Sequence, residues 1–333
     1  MKLDLAKVEV DVAANGMRTL LLSDAGGLTQ YGCYIQTLLP GARSSERHWH
    51  NNEDEFLFVL TGQATVVDDQ GSHTLGPLDA AAWPFGVANG HHVLNQSDAP
   101  VTYVILGSRV ALDVCTYPDS GTQQINGVTD WKVVDAAGVT LRGGALPPEL
   151  LGLPDRWGTP ADGPAQRILP AAGRVWVEEG DLPHPILGSG LGPYRHVRLG
   201  DVGGLSQFGV HLEELPPGSR SSFRHWHEAE DEMVLVLEGS AILVEEAETV
   251  LQPGDVVCWP AGVAVGHCLV NRSTAPARYL VIGTRSPRDR VHYPDDDLIT
   301  EADGAARVWR HADGRVRRPG NPDLNVVPKG SPT

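Results

Sequence analysis

Residues 26–62 read GGLTQYGCYIQTLLPGARSSERHWHNNEDEFLFVLTG, and residues 203–239 read GGLSQFGVHLEELPPGSRSSFRHWHEAEDEMVLVLEG. Aligned without a gap at an offset of 177, 21 of these 37 positions are identical. The likeness resumes at an offset of 176, where WPFGVANGHHVLNQSDAPVTYVILGSR (83–109) answers WPAGVAVGHCLVNRSTAPARYLVIGTR (259–285). Each copy then reaches a Tyr-Pro-Asp, at 117–119 and 293–295. Self-similarity of this length is the mark of a duplicated domain.

Within each copy the apolar pattern is that of strands. FLFVLTGQATVVDD and MVLVLEGSAILVEE are short β-rich runs broken at glycine, and PVTYVILGSR and PARYLVIGTR are further runs opened by proline. Nothing has the spacing of a βαβ unit. Many short strands with frequent turns imply an all-β fold, an antiparallel sandwich or closed barrel in each copy. The expected organisation is a first domain over 1–121, a Gly/Pro-rich connector over 122–178, a second domain over 179–300 and a tail over 301–333. A short helical turn is expected at ELLG within the connector.

His48 and His50 lie two apart in a strand-like segment, as do His225 and His227, so both imidazoles of each pair project to one side. Trp49 and Trp226 then face the other way, to pack against another sheet or the other domain. Glu55 and Glu232 follow at one interval, and His91 and His267 come later, each four residues before an asparagine (Asn95, Asn271). Two imidazoles, a carboxylate and a third imidazole converging inside a barrel suit a divalent first-row transition metal. Asp54 and Asp231 are alternatives to the glutamates, and the downstream glycine spacing favours Glu55 and Glu232. His92, whose repeat partner is Cys268, is expected to point away from the ligand set and not to bind the metal.

The chain has 333 residues, 38 glycines, 25 prolines and a net charge of −16. That charge speaks against general affinity for nucleic acid or an anionic membrane. The five arginines between Arg307 and Arg318 form a solvated terminal segment. Cys33, Cys115, Cys258 and Cys268 are widely spaced, without a CxxC pair, and read as reduced thiols of a cytoplasmic protein. No apolar run is long enough to span a membrane as a helix.

These residues resemble the two signatures of the cupin superfamily. The first is similar to Gly41, His48, His50, Glu55 and Gly62, and again to Gly218, His225, His227, Glu232 and Gly239. The second is similar to Pro84, Gly86, His91 and Asn95, and to Pro260, Gly262, His267 and Asn271. Four residues separate that glycine from its histidine where two are commoner, and both copies share the longer turn. The wording resembles most closely that of bacterial cupin proteins without an assigned reaction. The resemblance implies a bicupin of two double-stranded β-helix (jelly-roll) barrels, with one metal in each.

Fe(II) or Mn(II) is favoured by ligand type, with Ni(II), Cu(II) and Zn(II) as alternatives. Three histidines and a glutamate leave about two positions of an octahedral ion for a small-molecule substrate. Similar sets in bicupins serve quercetin-type dioxygenases and oxalate decarboxylases. The leading expectation is therefore a dioxygenase-type oxidoreductase acting on a small organic acid or an enol- or phenol-like substrate. A second is isomerase, lyase or decarboxylase chemistry without net oxidation, with Tyr103, Tyr279 or His211 as acid or base. A third is a metabolite-binding protein without turnover. The cavities are expected to differ through Tyr31 against Phe208 and Tyr34 against His211. Association into a homo-oligomer is a further expectation, unless the two domains cover each other's sheets within one chain.

Overall fold

A computed structural model describes residues 1–155, 157 and 166–319. Each half is a β-barrel of the jelly-roll kind. In the first, the strands Val10–Val12, Arg18–Leu21, Tyr31–Leu38, Val101–Ser108, Glu55–Thr61, Ala80–Trp83 and Ile168–Leu169 form one sheet in that order. A smaller sheet of Gly71–Leu75, Ala64–Asp68 and His92–Leu94 closes the barrel. The second half repeats this arrangement, with Phe208–Leu215, Ala277–Thr284, Glu232–Glu238 and Val256–Trp259 as its central strands. The deleted residue of the repeat falls in the hairpin turn after Ala64–Asp68 and after Ala241–Val244.

The run FLFVL is apolar throughout because both faces of its strand are covered. Leu57 and Val59 fill the first barrel, while Phe56 and Phe58 enter a core shared by both halves. That shared core holds 25 buried side chains, 13 from residues 3–169 and 12 from residues 197–282. Burying a phenylalanine or leucine fully contributes about 2 kcal/mol, so this interface is a true core that holds the halves as one body. Gly26 and Gly203 show how close the approach is. A Cβ on Gly26 would lie 2.4 Å from the sulfur of Cys258, and one on Gly203 2.4 Å from the Cβ of Ala82.

The halves also exchange strands at their edges. Lys2 pairs with Val257, and the Leu3 N–H donates to the Val256 carbonyl of the second barrel. In return, Ile168–Leu169 pairs with Ala80 and Ala81 of the first.

Three expectations need correction. The stretch 122–178 is not a plain connector. Its strands Thr122–Asn126, Asp130–Val134 and Thr140–Ala145 extend a sheet that begins with Trp49–His50 and Asp113–Tyr117. The turn signals Asn126-Gly127 and Gly138 are what make the hairpins possible. The helical turn falls at Pro148–Leu150, overlapping the expected ELLG of 149–152. Nor is 301–333 a plain tail, since Leu298–Asp303, Ala306–Arg310 and Val316–Arg317 continue the matching sheet of the second half. The rest of that stretch, from 320, lies outside the described residues, as do 156 and 158–165 of the connector. Third, Tyr31 and Phe208 are not cavity residues. They meet in the shared core, rings 6.1 Å apart.

Candidate metal centres

His48 and His91 are paired through their backbones: each N–H donates to the other's carbonyl, at 3.1 and 2.9 Å. His225 and His267 pair in the same way, at 3.1 and 2.9 Å. The strand Trp49–His50 then sets His50 beside His48, ring centroids 5.2 Å apart. Glu55 opens its own strand and points into the barrel with Leu57 and Val59. Its carboxylate meets the Nε2 atoms of His91, His48 and His50 at 2.9, 3.7 and 3.9 Å. In the second barrel Glu232 meets the Nε2 atoms of His267, His227 and His225 at 2.9, 3.7 and 4.0 Å. All eight residues are thus brought together, four in each half.

The other ring nitrogen of every histidine is already occupied. Nδ1 of His48 and His91 lies 2.9 and 3.0 Å from the carbonyls of Glu46 and Asn89, and Nδ1 of His50 lies 2.6 Å from Asp113. His225, His267 and His227 use the Phe223 and Val265 carbonyls and Asp289 at 2.9, 3.0 and 2.6 Å. A ring that donates through Nδ1 presents its Nε2 lone pair inward, as a metal ligand must. The third histidine is also held flat. Trp83 stacks on His91 at 3.9 Å and Trp259 on His267 at 3.7 Å. Three imidazoles, neutral once they bind a metal, and one carboxylate, oriented from outside and converging at their free atoms, fit a divalent transition metal in each half.

Burial works against the charge on Glu55, but the facing rings of His50, His91 and His48 hold its carboxyl well below the usual range. Glu232 is held down likewise by His227, His267 and His225. Burial opposes a charge on His227, yet Glu232 and Asp289 raise it to about 9. His225 goes the other way, to about 4, because burial and the neighbouring rings outweigh a glutamate that sits farther off.

The three acidic residues of each Glu-Asp-Glu divide their work. Glu55 faces the metal position. Asp54 leaves the barrel altogether: one carboxylate oxygen accepts the N–H groups of Ser206 and Gln207 from the other half at 2.7 and 2.8 Å, the other that of Phe85 at 2.8 Å. Asp231 returns the contact, accepting from Thr29 and Gln30 at 2.7 and 2.8 Å and from Ala261 at 2.8 Å. The aspartates weighed as alternative ligands are therefore a reciprocal clasp between the halves. Glu53 lies 3.6 Å from Nδ1 of His50, and burial pushes it up to about 8 against the pull of that ring.

Asp113 and Asp289 were not foreseen, although both copies carry the signal Asp-x-x-x-Tyr-Pro-Asp. The same motif places Tyr117 and Tyr293 beside His48 and His225, each 6.0 Å away, and its last aspartate pairs with Arg47 at 2.8 Å or Arg224 at 2.7 Å. Cys115 puts a buried thiol among the donor atoms of His48 and His50, where the second half has Val291. Neither Trp49 nor Trp226 enters the shared core, and Trp226 stacks instead on His292 at 4.1 Å. His92 donates through Nδ1–H to the Ser45 carbonyl, 3.2 Å away, and stays out of the ligand set.

Because Asp113 and Asp289 orient one ligand each, Asp113→Asn and Asp289→Asn should weaken metal binding at their own centre about 10- to 100-fold. Competition with a chelator of known affinity measures this, and the unchanged centre of the same chain is the internal control.

Residues 34–107 and 211–283 each match the Cupin domain family. No curated protein matches the chain. Among solved structures, an oxalate decarboxylase from Lactobacillus farciminis, in complex with formate, aligns with 16% identity over 89% of this chain and 88% of its own, with a TM-score of 0.51. The oxalate decarboxylase of Bacillus subtilis aligns with 17% identity over 89% of this chain and 79% of its own, with a TM-score of 0.50. A sugar phosphate isomerase of the cupin superfamily from Silicibacter pomeroyi shares 35% identity over 46% of this chain and 96% of its own, with a TM-score of 0.37. Among the described residues no helix is long and apolar enough to cross a membrane.

Proposed function

The chain belongs to the cupin superfamily as a bicupin, and from that premise we propose that it is a metal-dependent enzyme whose first barrel oxidises a small organic acid or enol-like substrate with dioxygen. One observation carries the reading. A cavity of about 250 Å³ opens directly on His48, Glu55 and His91. That is below the range of drug-sized pockets, so it suits a molecule of a few carbons. Bound by His48, His50, Glu55 and His91, Fe(II) or Mn(II) would polarise substrate oxygens and supply the redox chemistry.

The chain's own groups bind and orient. The Tyr103 hydroxyl donates to Oε1 of Gln36 at 2.9 Å, and burial keeps that phenol protonated. Arg109 donates to the Tyr34 hydroxyl at 2.9 Å, leaving the Tyr34 proton free to turn toward an anion in the cavity. The Tyr34 hydroxyl as a donor suits a substrate that arrives as a carboxylate or enolate, while Tyr103, whose proton goes to Gln36, holds that wall in place. Ile105 walls the remaining side and limits water.

The test is oxygen consumption by protein loaded separately with Fe(II) and Mn(II), against pyruvate, oxalate and catechol. Uptake that tracks substrate loss is the expected result. Turnover that proceeds equally without oxygen would overturn the oxidative reading.

A further inference from the structure

The two barrels share their ligands but not their walls. In the first, Thr19, Gln36 and Tyr103 are neighbours across three adjacent strands, as are Leu21, Tyr34 and Ile105. At the same places the second holds His196, Glu213 and Tyr279 in one row, and Arg198, His211 and Val281 in the next. Val210 and Leu212 point into the shared core, so His211 and Glu213 point the opposite way, into the barrel. Their counterparts Tyr34, Gln36 and Tyr103 line the first metal cavity.

These side chains are coupled. Nδ1 of His211 lies 3.8 Å from the Glu213 carboxylate. The Tyr279 hydroxyl bonds to Glu213 and, being buried, stays protonated. Nε2 of His196 accepts from Nε of Arg198 at 3.3 Å, while its Nδ1 is buried with no partner among the described residues. A hydrogen-bonding group left unmatched in this place stands ready for a water or a substrate. The charged and titratable groups around Glu213 and His211 are His196, Arg198 and Tyr194 from one neighbouring strand, Tyr279 from the other, and Arg285 just beyond it.

We propose that the second barrel is an acid–base site for small α-hydroxy or α-keto compounds, in which Glu213 is the base. Glu213 takes the proton from the carbon beside the carbonyl. The C–H electron pair becomes the C=C bond of an enolate, and the carbonyl π pair moves to oxygen. Protonated Glu213, with His211 beside it, then returns the proton to the same carbon, as the enolate oxygen pair re-forms the carbonyl. No oxidant is consumed. This activity stands independently of dioxygen use in the first barrel, where Gln36 cannot accept a proton.

Deuterium incorporation into pyruvate and dihydroxyacetone in heavy water, followed by proton NMR with the metal-loaded full chain, tests it. The wild type should catalyse exchange. Glu213→Gln should slow it about 100-fold and remove the alkaline rise of the pH–rate profile, with bound metal unchanged, and Glu213→Asp should restore part of the rate. Glutamine already occupies this position in the first barrel, so the fold accepts it. His211→Tyr, which copies Tyr34, should shift the pH profile. No exchange above the protein-free rate, or a Glu213→Gln protein with wild-type rate and profile, would overturn the proposal. Oxygen uptake, recorded separately, shows whether the first-barrel reading stands or falls on its own.

Discussion

Asp54→Ala should lower the midpoint of thermal unfolding by roughly 6 °C. The side chain is fully buried, and its loss deprives the N–H groups of Ser206, Gln207 and Phe85 of their acceptor. A buried donor left unmade costs about 1–3 kcal/mol, so the three together cost on the order of 4 kcal/mol after some water enters. With an unfolding entropy of about 2.1 cal/mol/K per residue, each kcal/mol is worth about 1.5 °C in a chain of 333 residues. Asp231→Ala should behave alike, since it loses the same kind of contact in the mirror-image place. Asp54→Asn keeps one acceptor oxygen and should lose about half as much. Asp98→Ala, at an exposed turn, should stay within about 0.5 kcal/mol of the wild type. Calorimetry distinguishes these cases, and an unchanged midpoint for Asp54→Ala would refute the clasp.

Glu55→Gln and Glu232→Gln should each reduce bound metal from two ions per chain to one. Among the described residues each glutamate is the only carboxylate facing its three Nε2 atoms, and its negative charge offsets part of that of a divalent ion inside a largely buried site. Losing it should cost affinity well beyond the 10- to 100-fold expected for an orienting aspartate. The double variant should bind none. Elemental analysis of protein dialysed against chelator-treated buffer gives the count. Two ions retained in both single variants would sink the ligand assignment.

The repeat made the barrels and the eight inward-facing residues legible, because a ligand set kept in register is a local pattern written twice. What stayed hidden depends on contacts between the copies. Asp54 finds its partners at 206 and 207, and no spacing within one copy shows this. Tyr31 and Phe208 share strands with cavity residues, and only the packing of one barrel on the other decides which face is the interface. The sheet extensions were missed for another reason. Thr140–Ala145 is exposed along its whole length, so it lacks the alternation that a half-buried strand displays. Asp113 and Asp289 do carry a local signal, since each lies four residues before the tyrosine of a Tyr-Pro-Asp repeated in both copies.

The exchange of edge strands has a consequence for synthesis on the ribosome. The first barrel lacks its last edge strand until residues 168–169 have been made, and Lys2 and Leu3 have no partner until Val256 and Val257 emerge. For most of translation the nascent chain therefore displays an unpaired sheet edge and the apolar face of Tyr31, Phe56, Phe58 and Leu106. Such surfaces invite aggregation and chaperone binding. A truncated product ending near residue 155 should accordingly be insoluble when expressed alone, even though it contains one whole set of metal ligands.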